Sequence, residues 1–160
     1  MRPSPQAIAH LESALAGRHT SRSDQWHVTL AFLGDVSRAE SLSQGLRSAA
    51  AAVPPFTLHL EGGGAFRGAR VVWAGLGGDL QPLAELAGRV QQACRESGIP
   101  LDQRPFRPHL TVGKLGHLDP HVLRDYSGPS WRVSQIELVR SVLGRTAVHT
   151  VVETFPLYQA

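Results

Sequence analysis

Residues 26–34 read WHVTLAFLG and residues 104–115 read RPFRPHLTVGKL, and each places a histidine with a threonine two positions on inside an otherwise apolar run. Superposed, His27-Val28-Thr29-Leu30-Ala31 and His109-Leu110-Thr111-Val112-Gly113 agree in histidine, threonine, apolar spacers and a small fifth residue. Side chains alternate between the faces of a strand, so histidine and threonine at i and i+2 share one face while the spacers share the other. The first motif is therefore expected as a strand from Trp26 to Leu33, with His27, Thr29 and Ala31 on a chemical face and Val28, Leu30 and Phe32 on a core face. The second is expected as a strand from His109 to Leu115. Paired about a pseudo-twofold axis, the two would set both imidazoles and both hydroxyls around one pocket.

Outward from these strands the chain alternates helical and extended patterns. Pro5 to Ala16 has the spacing of a short amphipathic helix, followed by a polar loop, GRHTSRSDQ. Ser37, a candidate N-cap, opens a helical pattern that runs to Ala52 before Pro54-Pro55. Phe56 to Glu61 alternates as a strand, GGGAFRGA reads as a loop, and Val71 to Leu76 is a continuous apolar strand. Asp79 is placed to cap a helix reaching about Ser97, with Leu80, Leu83, Leu86, Ala87 and Val90 on one side. After an irregular GIPLDQRPFRP come the second motif, a short helix near Pro120 to Tyr126, and two long strands, Trp131 to Leu143 and Ala147 to Leu157, turned at Gly144-Arg145.

No linker or charge block divides the 160 residues, a length that suits one compact domain burying roughly two thirds of its unfolded surface. The single cysteine, Cys94, excludes an intramolecular disulfide and a thiolate metal site, and is compatible with a reducing cytoplasm. No apolar run is long enough for a membrane span, and the N-terminus lacks the apolar core of a signal peptide. A cytoplasmic protein without membrane partners is expected, and the lack of an obvious association helix points to a monomer. The net charge is +3, with arginine supplying nearly all of the positive charge, which suits planar contacts to phosphate. That small excess taken alone is an ordinary basic surface.

Two imidazoles sharing a pocket can deliver a proton to a leaving oxygen while removing one from a nucleophile, because an ordinary histidine pKa near 6.5 makes both forms accessible. Two threonine hydroxyls can donate to nonbridging phosphate oxygens where charge builds up. Threonine is a poor metal ligand and neither motif supplies a carboxylate, so no metal and no cofactor are expected. No G-x-S-x-G elbow supports a serine hydrolase. Of the other histidines, His10, His19, His59, His117 and His121 read as surface residues, while His149 could line the cleft.

These residues resemble the two-histidine (2H) phosphoesterase superfamily, defined by two H-h-T/S-h motifs; here they lie 82 positions apart (109 − 27). WHVTLAFLGD and FRPHLTVGKL are similar, more narrowly, to bacterial RNA 2′,3′-cyclic phosphodiesterases, also called 2′-5′ RNA ligases. VVWAGL, the long helix after it, and IELVRSVLG to ETFPL follow the same order, so the resemblance covers nearly the whole chain from Gln25. It implies an α+β fold of two pseudo-symmetric lobes over residues 1–160, two antiparallel sheets with outer helices flanking a central cleft. It further implies opening of a 2′,3′-cyclic phosphate, at an RNA end or on a nucleoside, to a 2′-phosphomonoester, with 2′-5′ ligation as the reverse. By that analogy His27 is the general acid and His109 the general base, Thr29 and Thr111 bind phosphate oxygens, and Phe32 stacks on the base. The alternative is a noncatalytic RNA-end binder using the same phosphate and stacking groups.

Two departures from the family pattern matter. Where relatives commonly carry an arginine after the second motif this chain has Lys114, which keeps the charge but loses the bidentate fork, so the grip on phosphate is expected either to be weaker or to be shared with Arg107 or Arg104. An offset of five also puts Phe32 and Lys114 on the wrong face of a regular strand, so a bulge or strand end near Gly34 and Gly113 is required; otherwise Phe32 is core. The short R-h-F-h-A strand with which relatives begin is missing from MRPSPQAIAHL, and its loss is expected to uncover apolar surface in one lobe.

Overall fold

The computed structural model describes residues 1–36, 39–142 and 148–159. Expected features at Ser37, Leu143, Gly144-Arg145 and Ala147 lie outside them. Among the described residues, three α-helices and six strands follow in the order α1 (Pro5–Ala14), α2 (Ala39–Ala51), β1 (Phe56–Phe66), β2 (Val71–Gly78), α3 (Leu80–Glu96), β3 (Leu110–Lys114), β4 (Trp131–Val133), β5 (Gln135–Val142) and β6 (Val148–Pro156). The strands form two antiparallel sheets, a four-stranded one in the order β3-β2-β1-β4 and the two-stranded hairpin β5-β6. The mixed architecture with two antiparallel sheets is the one expected.

Local chemistry accounts for the helix limits. Ser4 accepts from the Ala7 amide, and Pro5 opens α1, where its missing N–H costs nothing. In α3, Leu83, Leu86, Ala87, Val90 and Cys94 recur at helical spacing and are buried in the common core. Asp79 occupies the expected N-cap position, but its carboxylate accepts from the Thr57 amide of β1 at 2.9 Å instead of from its own helix, tying helix entry to the sheet. The helix expected near Pro120 is a single 3-10 turn, Pro120–Leu123, begun by an Asp119 side-chain cap on His121.

Three expectations need correction. Only the end of GGGAFRGA is a turn: β1 runs through to Phe66, and the register shift between Leu60 and Gly63 inserts one extra residue, with Gly62 at φ 64°. Glycines are needed there because β1, β2 and the Trp73 indole approach closely; a Cβ on Gly64 would lie 2.8 Å from the indole and one on Gly75 2.5 Å from the Glu61 carbonyl. The expected strand from Trp131 is two strands, β4 closing the large sheet beside β1 and β5 belonging to the hairpin. Finally, Trp26 to Leu33 is not a regular strand; its ladder is reduced to one antiparallel bridge, Val28 to Leu110. On its other side Val28 exchanges both backbone hydrogen bonds with Met1, at 2.8 and 3.0 Å.

The motif's alternation survives that loss of ladder. Trp26, Val28 and Leu30 are buried, His27 is half-buried and Thr29 exposed. Burial of the spacers, together with the bridge, fixes which way the polar residues point. Away from the motifs, β5 and β6 leave Val139, Val142, Val148, Val151 and Val152 exposed.

Candidate active site

Val28 and Leu110 are bridged antiparallel, and both are fully buried. Extending that register by one residue each way sets His27 opposite Thr111 and Thr29 opposite His109, all on the face away from the core. Directly opposed residues in such a pair have Cβ atoms about 4.5–5.5 Å apart. Each imidazole thus neighbours the hydroxyl of the other motif, and the four side chains crowd one patch.

Both rings are oriented by the same backbone device. His27 Nδ1 lies 2.7 Å from the Gln25 carbonyl and His109 Nδ1 lies 2.6 Å from the Arg107 carbonyl, in each case two residues upstream. A carbonyl can only accept, so Nδ1 carries the proton in both rings and Nε2 is left to exchange one. The duplication therefore extends to the residues before each motif, although Gln25 and Arg107 share no side-chain chemistry. A backbone contact leaves no mark in the sequence.

The two histidines differ in surroundings. Desolvation lowers the His27 pKa from its ordinary 6.5; the Gln25 carbonyl works against this, while the amino terminus, His149 and Arg2 add to it. His149, on β6, has its ring 5.3 Å from His27 and edge-on, and its Nδ1 lies 2.8 Å from Ser141 Oγ across the β5-β6 pair. His109 instead meets aromatic rings: Phe66 at 4.8 Å and nearly perpendicular, and Trp73 at 6.4 Å. The Arg107 guanidinium covers the Phe66 ring at 4.8 Å. Neither Phe66 nor Trp73 was singled out from the sequence, where one lay in an apparent loop and the other in an apparent core strand.

Lys114 reaches the histidine face through the required bulge. Trp73 pairs with Thr111 but Val72 pairs with Gly113 and Val71 with Lys114, so Val112 is the extra residue. The parity of β3 reverses there, and Lys114 comes out on the same side as Thr111 and Trp73. Phe32 is no part of the core: it is 82% exposed, beyond the point where the first motif's pairing stops. Arg104 is occupied by Asp102, with Nε 2.6 Å from the carboxylate, which leaves Arg107 as the arginine free to face the motif. His10 bonds the Tyr126 hydroxyl and His59 approaches Glu61, both away from the motifs in sequence and contact. A groove of about 920 Å³ between α2 and α3, lined by residues such as Gln44, Ser48 and Arg89, contains none of the motif side chains.

Residues 2–145 match the model of the 2′-5′ RNA ligase superfamily. The chain is 33% identical over 159 residues to an RNA 2′,3′-cyclic phosphodiesterase of Geobacillus stearothermophilus, covering 92% of this chain and 50% of that protein. It is 35% identical to one of Thermus thermophilus, covering 83% and 72%. The match to the Escherichia coli RNA 2′,3′-cyclic phosphodiesterase spans 54% of that protein, so the chain corresponds to about half the length of the first relatives it matches. In three dimensions it superposes on E. coli LigT complexed with 3′-AMP with a TM-score of 0.75 and 26% identity, over 99% of this chain and 95% of that one. A crystal structure of a phosphoesterase gives 0.79 at 25% identity. With its paired H-x-T motifs brought side by side, the chain belongs to the 2′-5′ RNA ligase superfamily.

Proposed function

We propose that this protein is a metal-independent RNA 2′,3′-cyclic phosphodiesterase that opens a terminal cyclic phosphate to a 2′-phosphomonoester. The observation that carries the reading is the antiparallel apposition of two H-x-T motifs, each histidine holding Nδ1 on a carbonyl and offering Nε2 to the same patch. Water attacks phosphorus and gives its proton to His109 Nε2; the P–O3′ bond breaks and O3′ takes a proton from His27 Nε2. Thr29 and Thr111 donate to the nonbridging oxygens, and Lys114 and Arg107 supply positive charge as the pentavalent arrangement gathers negative charge. Phe32, exposed at the rim, stacks on the terminal base. Run backwards with a ribose hydroxyl in place of water, the same proton transfers form a 2′-5′ linkage.

RNA ends and nucleoside 2′,3′-cyclic phosphates are the proposed substrates. A monomer in the cytoplasm fits the buried lone Cys94, and no helix among the described residues is long and apolar enough to cross a membrane.

The test is turnover of a nucleoside 2′,3′-cyclic phosphate in excess EDTA across pH, with the product mapped. A 2′-phosphate product and a bell-shaped profile are expected. Because His27 starts below 6.5 in the free protein and a bound phosphate anion favours its charged form, the limb that His27 sets should lie at higher pH in kcat than in kcat/KM. A 3′-phosphate product or silence in EDTA would overturn the reading.

A further inference from the structure

We propose that the tip of the β1-β2 hairpin, with Arg67 and Arg70, is a subsite for the RNA chain leading up to the cyclic phosphate, so that oligonucleotide ends are preferred over mononucleotides. The inference rests on the phosphodiesterase reading and specifies which substrates the same site takes.

The tip is built to hold charge in place. Arg67 and Arg70 bracket the turn between Phe66, whose ring contacts His109, and Val71, which pairs with Lys114. Arg70 has φ 56°, a left-handed conformation that a non-glycine residue rarely adopts. Its backbone is pinned there because its carbonyl accepts from the Leu115 amide at 2.9 Å, which anchors the turn to the end of β3. Gly116, itself at φ 97°, lies beneath the Arg70 guanidinium; a Cβ there would sit 3.8 Å from Nη2. Among the described residues none of Arg67, Arg70, Lys114 and Arg107 makes an ion pair, whereas Arg22, Arg47, Arg89 and Arg104 all do. Four cations without an ion pair thus stand at the end of the large sheet that carries the second motif.

The reacting phosphate is served by Lys114 and Arg107, and a nucleoside 2′,3′-cyclic phosphate carries no other. Arg67 and Arg70, next to Phe66 and Val71, therefore find further phosphates only in a longer chain.

The experiment compares kcat/KM for a short RNA ending in a 2′,3′-cyclic phosphate with that for 2′,3′-cyclic AMP, over a range of salt, in the wild type and in Arg67→Ala/Arg70→Gly. Glycine at 70 relieves the left-handed backbone, and a thermal melt confirms folding. The wild type should favour the oligonucleotide at least tenfold, and the variant should lose most of that ratio. With two phosphate contacts removed, the slope of log kcat/KM against log salt for the oligonucleotide should flatten by about 1.4. An oligonucleotide-to-mononucleotide ratio unchanged in the variant, or absent in the wild type, overturns the subsite. Failure to hydrolyse either substrate strikes instead at the phosphodiesterase reading.

Discussion

His27→Ala and His109→Ala should each lose about 10²–10⁴-fold in turnover of a cyclic phosphate substrate, the range expected when a positioned acid or base is removed. Neither ring is fully buried, and each is anchored by a single backbone hydrogen bond, so the folded state should survive with little change in melting temperature. Groups that act as a unit are strongly non-additive, and the double variant should therefore be little worse than the poorer single one. The measurement is single- and multiple-turnover kinetics in EDTA beside a thermal melt. Full rate in either single variant would remove the two-histidine mechanism and leave a binder of RNA ends, the alternative that the same phosphate and stacking groups support.

Leu110→Ala should have the largest effect on stability among changes near the site. Leu110 is completely buried and sits between Val28 on one side and Ala74 on the other, so it joins the first motif to the large sheet. Removing a buried leucine side chain typically costs about 2–5 kcal/mol, through lost transfer energy and the cavity left behind. For a chain of this size each kcal/mol moves Tm by about 2–4 °C, so a fall of roughly 4–20 °C is expected. Since the bridge sets His27 opposite Thr111, activity well below the melting point should fall as well. A drop in Tm below about 2 °C would show that the bridge is not held by this packing.

The sequence made the site easier to read than the fold around it. The two H-x-T motifs were legible because the i, i+2 spacing and apolar spacers determine which side chains share a face, and burial of Val28, Leu30, Leu110 and Val112 agrees with that reading. The requirement for a bulge before Lys114 was equally legible, since an odd offset cannot otherwise bring it onto the histidine face. The glycine run was misread because glycine marks both loops and places where backbones and an indole press together, and only the partner strand distinguishes them. The first motif's missing ladder and the split at Ser134 are decided by neighbours distant in sequence, Met1 and β1, so local alternation does not reveal them. The carbonyls behind the two Nδ1 atoms, and the aromatic wall of Phe66 and Trp73, were invisible for the same reason.

In this mechanism both imidazoles hold one phosphate at once. The ring protons of His27 and His109, followed by NMR while a 2′-nucleotide is added, report on both contacts separately. The expected result is that both sets of signals move together with one dissociation constant and one-to-one stoichiometry, and that the His27 pKa rises as the anion binds. Movement of only one ring, or of the two with different affinities, would contradict it.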